Sequence, residues 1–230
     1  MEEFEEGILI ETGEFRVDMA GYEKLMTREQ KLARQRAQEQ LLAWQKFYKE
    51  IFNINMDISN IPIPEYRIGL NRLIVVAEGL TPEKIYQAMK KMVPAWKYLN
   101  NLDTVESVRK TDKTYAVWVR DRQEADEEPE NKSANDLKSD GTNCITLEEH
   151  LLFTMMYFWE YSTRGSLISV LISAVIRKHL DVQFYTLCAG SRAAYGYAPS
   201  VGWIGDEVRV FCSCPDHARG DLRFRTVVSE

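Results

Sequence analysis

The residues best placed for chemistry sit near the end of the chain, where Cys212-Ser-Cys214-Pro-Asp-His217 puts two thiols and an imidazole within six positions. Such a set is three-quarters of a tetrahedral zinc site, with Cys188 or Asp216 as the fourth ligand. Strand alternation would put Cys212 and Cys214 on one face. The spacing matches neither a finger nor a knuckle, and small, partly buried strand residues are the simpler reading. The other histidines, His150 and His179, are scattered. No phosphate-binding glycine loop, dinucleotide fingerprint, Gly-x-Ser-x-Gly elbow or His-Glu-x-x-His pair occurs. Carboxylates are abundant, and none is singled out by its surroundings. The expectation is no catalytic residue, no cofactor and no metal. A metal-dependent enzyme on Cys212, Cys214 and His217 stands as one alternative, and a plain structural or adaptor protein as another.

The elements that would carry these residues begin with an acidic arm over roughly the first twenty residues. Ala37, Leu41, Trp44, Tyr48 and Ile51 then recur at alternating spacings of four and three, which predicts an amphipathic helix from Thr27 to Phe52. Its stripe suits either packing on the rest of the chain or a homo-oligomer contact. Residues 1–68 are read as this arm and helix, and residues 69–230 as a compact domain. "LNRLIVVAEGL" has the unbroken apolar run of a buried strand. Thr81, Pro82 and Glu83 open a helix behind it. "TYAVWVRD" alternates and should be a second strand, and the polar run after it reads as a long exposed loop with one helical turn. Thr146 and Glu149 form a capping-box pattern ahead of a helix that is apolar nearly all round, through Tyr161. "VQFYTLC", "EVRVFC" and "LRFRTVV" read as short strands. The order predicts an α+β domain whose helices pack on a small, mostly antiparallel sheet.

The bulk numbers narrow the function classes. Across 230 residues the net charge is −6, which speaks against nucleic acid as a partner. The apolar run Ser166 to Ile176 is about half of a membrane span and predicts a buried helix. The acidic start lacks the basic region of an export signal, and four cysteines do not make a disulfide scaffold. Both point to the cytoplasm.

The last fifty residues use a different alphabet. Lys, Gln, Glu, Met and Trp make up 57 of the 230 residues, yet only Trp203 and Glu207 represent them between Ala193 and Asp221. Every codon for those five amino acids ends in a purine. Positions whose codons are fixed to end in a pyrimidine, with the first two bases scrambled, encode the other fifteen and never these. Long unbranched residues also favour helices, so a region of loops and strands loses some of them for that reason alone.

Alongside that bias, "AGSR" (Ala189 to Arg192) and "LRFRTVV" (Leu222 to Val228) resemble the opening and the final strand of the variable region in proteins diversified by diversity-generating retroelements. The whole chain also resembles proteins of uncultivated bacteria with very small genomes, where such retroelements are frequent. The resemblance implies a C-type-lectin-like domain over 69–230, with Thr146 to Tyr161 as its second long helix and 189–228 as the variable region. It implies a non-enzymatic binder whose template adenines are mutated by a reverse transcriptase. Calcium is not expected, because "WIGD" lacks the Asn of the sugar-binding runs.

The ligand surface expected from this resemblance is solvent-facing and comprises Ala193, Tyr195, Tyr197, Ser200, Ile204, Asp206, Arg209, Phe211, Ser213, His217 and Arg219. Tyr and Ser are favoured in antibody loops for the same physical reasons. Val208 and Val210 alternate with Arg209 and Phe211 and should face inward, Trp203 should anchor the sheet from beneath, and Gly196 and Pro199 should fix the loop. The implied partner is a protein or other macromolecule.

Overall fold

Ala37, Leu41, Trp44, Phe47 and Tyr48 bury one face of a long helix, α1 (Arg28–Phe52), in the same core that holds residues from Leu70 to Val228. The structure is a computed structural model that describes residues 28–126, 131–163 and 179–229. The acidic arm and the apolar run Ser166 to Ile176 lie outside the described residues.

The face of α1 is occupied within the chain. It packs on β1 (Arg72–Val76), which pairs antiparallel with β4 (Tyr115–Val119) so that Ile74 lies opposite Val117. The Trp44 indole N–H donates to the Leu73 carbonyl at 2.8 Å, and the Tyr48 hydroxyl donates to the Val75 carbonyl at 2.7 Å. These bonds let large aromatic side chains enter the core without stranding a polar atom. The amphipathic stripe therefore serves intramolecular packing. All five residues of β4 are buried. The reason is that the β1–β4 ribbon is covered by helices, leaving no solvent face.

Between these strands, α2 (Pro82–Met92) starts as expected, with Thr81 accepting from Lys84 N–H and Pro82 in the first turn. It leads to β2 (Ala95–Lys97), a 3-10 turn at Leu102–Thr104, and β3 (Glu106–Ser107). The stretch after β4 is less exposed than its composition predicts. Asp126 is buried and accepts from Thr226 N–H, and α3 (Ala134–Ser139) buries Ala134 and Leu137 behind a Ser133–Asp136 capping box. The main core helix α4 (Leu147–Thr163) begins with the reciprocal Thr146–Glu149 box, packs against α2 and β1, and touches α1 through a Trp159–Phe47 edge contact at 5.8 Å.

The last fifty residues build most of a five-stranded sheet from β5 (Tyr185–Leu187), β7 (Ala198–Ile204), β8 (Glu207–Ser213) and β9 (Leu222–Arg223), with β2 completing it in the order β2-β8-β7-β5-β9. The short β6 (Ser191–Arg192) pairs with β3 instead. The two inner pairings, β5–β7 and β7–β8, are antiparallel; both edge strands join parallel to their neighbours. The protein is thus α+β, with antiparallel pairings in the majority and parallel ones only at the two edges of the five-stranded sheet. No helix among the described residues is long and apolar enough to cross a membrane.

Candidate functional site

The register of β7 on β8 sorts the sheet into two faces. Val201 lies opposite Val210 and Trp203 opposite Val208; all four belong to the core side, the three valines at 2% exposure or less. Ser200 opposite Phe211, Gly202 opposite Arg209 and Ala198 opposite Ser213 form the other face. At one end of that face, Ala198, Leu187 and Phe224 are covered by Ala134, Leu137 and Cys144, a second, smaller core under α3. The same helix holds the loop after β8. Asn135 N–H donates to the Pro215 carbonyl at 3.0 Å, and its side-chain amide donates to Asp216 at 2.6 Å.

Where α3 stops covering the face, a cavity of about 360 Å³ opens, lined by Tyr185, Ser200, Phe211, Cys212, Ser213, Cys214, His217, Arg219 and Leu222. The Tyr185 and Phe211 rings meet edge to face at 5.9 Å and 82°, and Trp96 of β2 continues the aromatic row 5.3 Å from Phe211. Gly202 makes room for this: a Cβ there would stand 2.9 Å from the Tyr185 ring. Ser200 and Ser213 hydroxyls bond each other at 3.1 Å. At the mouth, the Arg219 guanidinium is held by both carboxylate oxygens of Asp221, which keeps it charged and above its ordinary pKa.

Five of the expected ligand residues, Ser200, Phe211, Ser213, His217 and Arg219, therefore line one cavity. Tyr195 (96% exposed) and Tyr197 (40%) flank it in sequence terms, since residues before Ala198 and after Ser213 leave the ladder at the same end. Tyr195 adopts a left-handed conformation, φ 59°, inside the turn Ala194–Gly196. Arg209 is on the open face beside Trp96 and bonds Glu207 at 2.9 Å. Ile204 and Asp206 do not join them. They flank the hairpin turn at Gly205 (φ 63°), roughly 13 Å along the strand from Ser200.

Two of the eleven are not solvent-facing. Ala193 is packed in the main core with its N–H bonded to the Tyr197 carbonyl at 2.7 Å, and Ser200 is 2% exposed because Phe211 and Leu187 flank it across the sheet. Pro199 is not a loop residue either; it lies within β7 opposite Cys212. Trp203 does anchor the sheet from beneath, stacked on His179 with ring centroids 3.3 Å apart. Tyr185, Leu222 and Trp96 are the site residues that sequence reasoning missed. The alternation in "VQFYTLC" carries a signal for Tyr185, whereas Trp96 lies in a three-residue strand with no periodicity to read.

Cys212 points at the core, where burial pushes its thiol up. Among the described residues no three His, Cys, Asp or Glu side chains gather as a metal site would require, so Cys212, Cys214 and His217 do not converge. Burial also raises Cys144, to about 12, and holds Cys188 well above the ordinary thiol range; both are unreactive.

Beneath the sheet lies a polar network that no sequence motif announces. Asp181 accepts from His150 Nε2, from the Thr186 hydroxyl and from Arg225 Nη2, each at 2.7 Å, and all four residues are at most 1% exposed. Arg225 also donates to the Arg122 and Gln123 carbonyls and lies over the Phe153 ring. Burial drives the His150 imidazole below its ordinary pKa despite Asp181. Burial would raise the Asp181 carboxyl, but Arg225, His150 and Thr186 together hold it low. The network has no opening to a substrate and fixes β5 and the segment after β9 to α4. No family model, curated protein or solved structure matches the chain.

Proposed function

We propose that this chain is a non-enzymatic binding protein whose open sheet face takes a protein ligand, and that the face is diversified by adenine-directed mutagenesis from a retroelement. The observation that carries the reading is the division of labour along β7 and β8. Residues facing the core (Val201, Val208, Val210) are apolar and buried, while Phe211, Ser213, His217 and Arg219 line a cavity and belong to neither core cluster. A surface that must tolerate many sequences needs this separation, with variable contacts on a rigid support. Gly190 and Ser191, at the start of the expected variable region, are scaffold: a Cβ on Gly190 would meet the Cys144 carbonyl at 2.5 Å.

Two helices, α2 and α4, packed beside a sheet built from the C-terminal strands suit the C-type-lectin-like architecture, with 189–228 as the variable region. The mixed charges around the cavity, Arg209 with Glu207 and Arg219 with Asp221, favour a protein over a nucleic acid, whose phosphates require unpaired cations. The four free cysteines suit a reducing cytoplasm. The test is to pan a random displayed-peptide library against the full chain and against a Phe211→Ala/His217→Ala variant. Enrichment on the first that is lost on the second is expected. Equal enrichment on both places binding elsewhere and rejects the reading.

A further inference from the structure

We infer that the cavity on the open sheet face is a socket for one tyrosine side chain of a protein partner. The inference rests on the binding reading above and names what enters the site. About 360 Å³ is at the low end of ligand pockets, which run from roughly 300 to 1,000 Å³, and it suits a single large side chain. The walls are Tyr185, Phe211 and Leu222. Tyr185 and Phe211 stand at 82° to one another, so they make a corner and not a flat platform. A corner grips one inserted ring by edge-to-face contact, whereas a run of bases or sugar rings needs faces lying side by side.

The floor selects the ring. Ser200 and Ser213 spend one proton on their mutual bond, and two hydroxyls together hold two donors and four lone pairs. One O–H and several acceptor sites are left at the bottom of an aromatic cleft, and Ser200 is 2% exposed. A phenol matches this by accepting the free O–H and donating to a serine oxygen. A phenylalanine ring would displace water from those hydroxyls and return no hydrogen bond, which costs binding free energy. The mouth argues against tyrosine phosphate. Arg219 spends Nε and Nη2 on the two oxygens of Asp221, so its side-on fork is not offered to a dianion, and Asp221 would repel one. The partner is a protein because the socket does not stand alone. Trp96, 41% exposed and 5.3 Å from Phe211, continues the open face with Arg209 beside it and extends the contact beyond what a small free phenol could cover, in the arrangement of an anchored hot spot and its surround.

The experiment uses the isotopically labelled full chain and N-acetyl-L-tyrosinamide, its phenylalanine analogue, its O-phospho analogue and p-cresol. The tyrosine probe is expected to shift the amides of Tyr185, Ser200, Phe211 and Leu222 and to bind at least tenfold tighter than the phenylalanine probe. Ser200→Ala and, independently, Ser213→Ala are expected to remove that preference while keeping the dispersed spectrum of the folded protein. Equal affinity for the two probes, a preference for the phosphorylated one, or unshifted amides at those four positions overturns the socket. So does p-cresol binding tighter than every tyrosine-containing peptide. Peptides that enrich on Phe211 and His217 without a shared tyrosine overturn the socket and leave the binding reading standing; no enrichment at all removes both.

Discussion

At the scale of single residues, three consecutive side chains at the start of α4 are buried and titratable, and each is tied to a different neighbour. Glu148 accepts from Ser107, Glu149 pairs with Arg109, and His150 bonds Asp181. His150 makes stability depend on pH with a definite sign. Its folded pKa is lowered by burial, so below about 6.5 the unfolded chain takes up a proton that the folded protein refuses, and stability falls as pH falls. Asp181, also depressed, adds loss of the same sign below about 4. Urea midpoints measured from pH 8 to 5 should decline, and the decline should flatten in His150→Gln. Glu148 has the opposite sign. Burial raises its pKa despite the Ser107 hydroxyl, so its contribution is present at low pH and lost as pH rises through the folded value. Glu148→Gln, which still accepts from Ser107, should therefore raise the urea midpoint at pH 7 and have little effect at pH 4. Gly190→Ala should cost about 1–3 kcal/mol or more, because the Cys144 and Ile145 carbonyls are backbone and cannot yield.

At the scale of elements, α1 is where the sequence was easiest to read and its destination hardest. The spacing of Ala37, Leu41, Trp44 and Tyr48 encodes a helix with an apolar face, but nothing in it names β1 as the surface it covers. The hydrogen bonds to Leu73 and Val75 carbonyls make α1 part of the fold, so Leu41→Ala should cost about 2–5 kcal/mol. Circular dichroism and tryptophan fluorescence should report one coincident transition. An early loss of helix signal with the sheet intact would contradict this. The start of α4 was legible because a capping box is local chemistry, with Thr146 and Glu149 three residues apart. Local composition hid β7 for the converse reason, although the resemblance placed "VGW" in the central strands. "APSVGWI" has the Pro and Gly of a loop, and it forms a strand because β5 and β8 supply partners on both sides. Pro199 has no N–H to leave unpaired, and its carbonyl accepts from Cys188 N–H at 2.8 Å. Composition records local preference, and this strand is a tertiary decision.

At the scale of the whole molecule, the helices and the β1–β4 ribbon form a thick core, and the C-terminal sheet presents one face inward and one outward. The His150–Asp181–Arg225 network fastens that sheet from behind, and α3 covers part of its front and steers the loop carrying His217 and Arg219. The inward valines could be read from alternation alone. The cavity could not, since it needs Tyr185 and Leu222 from strands β5 and β9, which the topology brings beside Phe211. The measurement that tests the account most directly is the nucleotide sequence of this gene and its flanks across the source population. The account predicts a near-copy of the codons for residues 189–228 beside a reverse transcriptase, differing where the copy carries adenine. Amino-acid changes should fall at Tyr195, Tyr197, Arg209, Phe211, Ser213, His217 and Arg219, with Gly190, Val201, Gly202, Val208, Val210 and Arg225 constant. Absence of such a repeat, or variation spread over the inward valines as freely as over the open face, would contradict it.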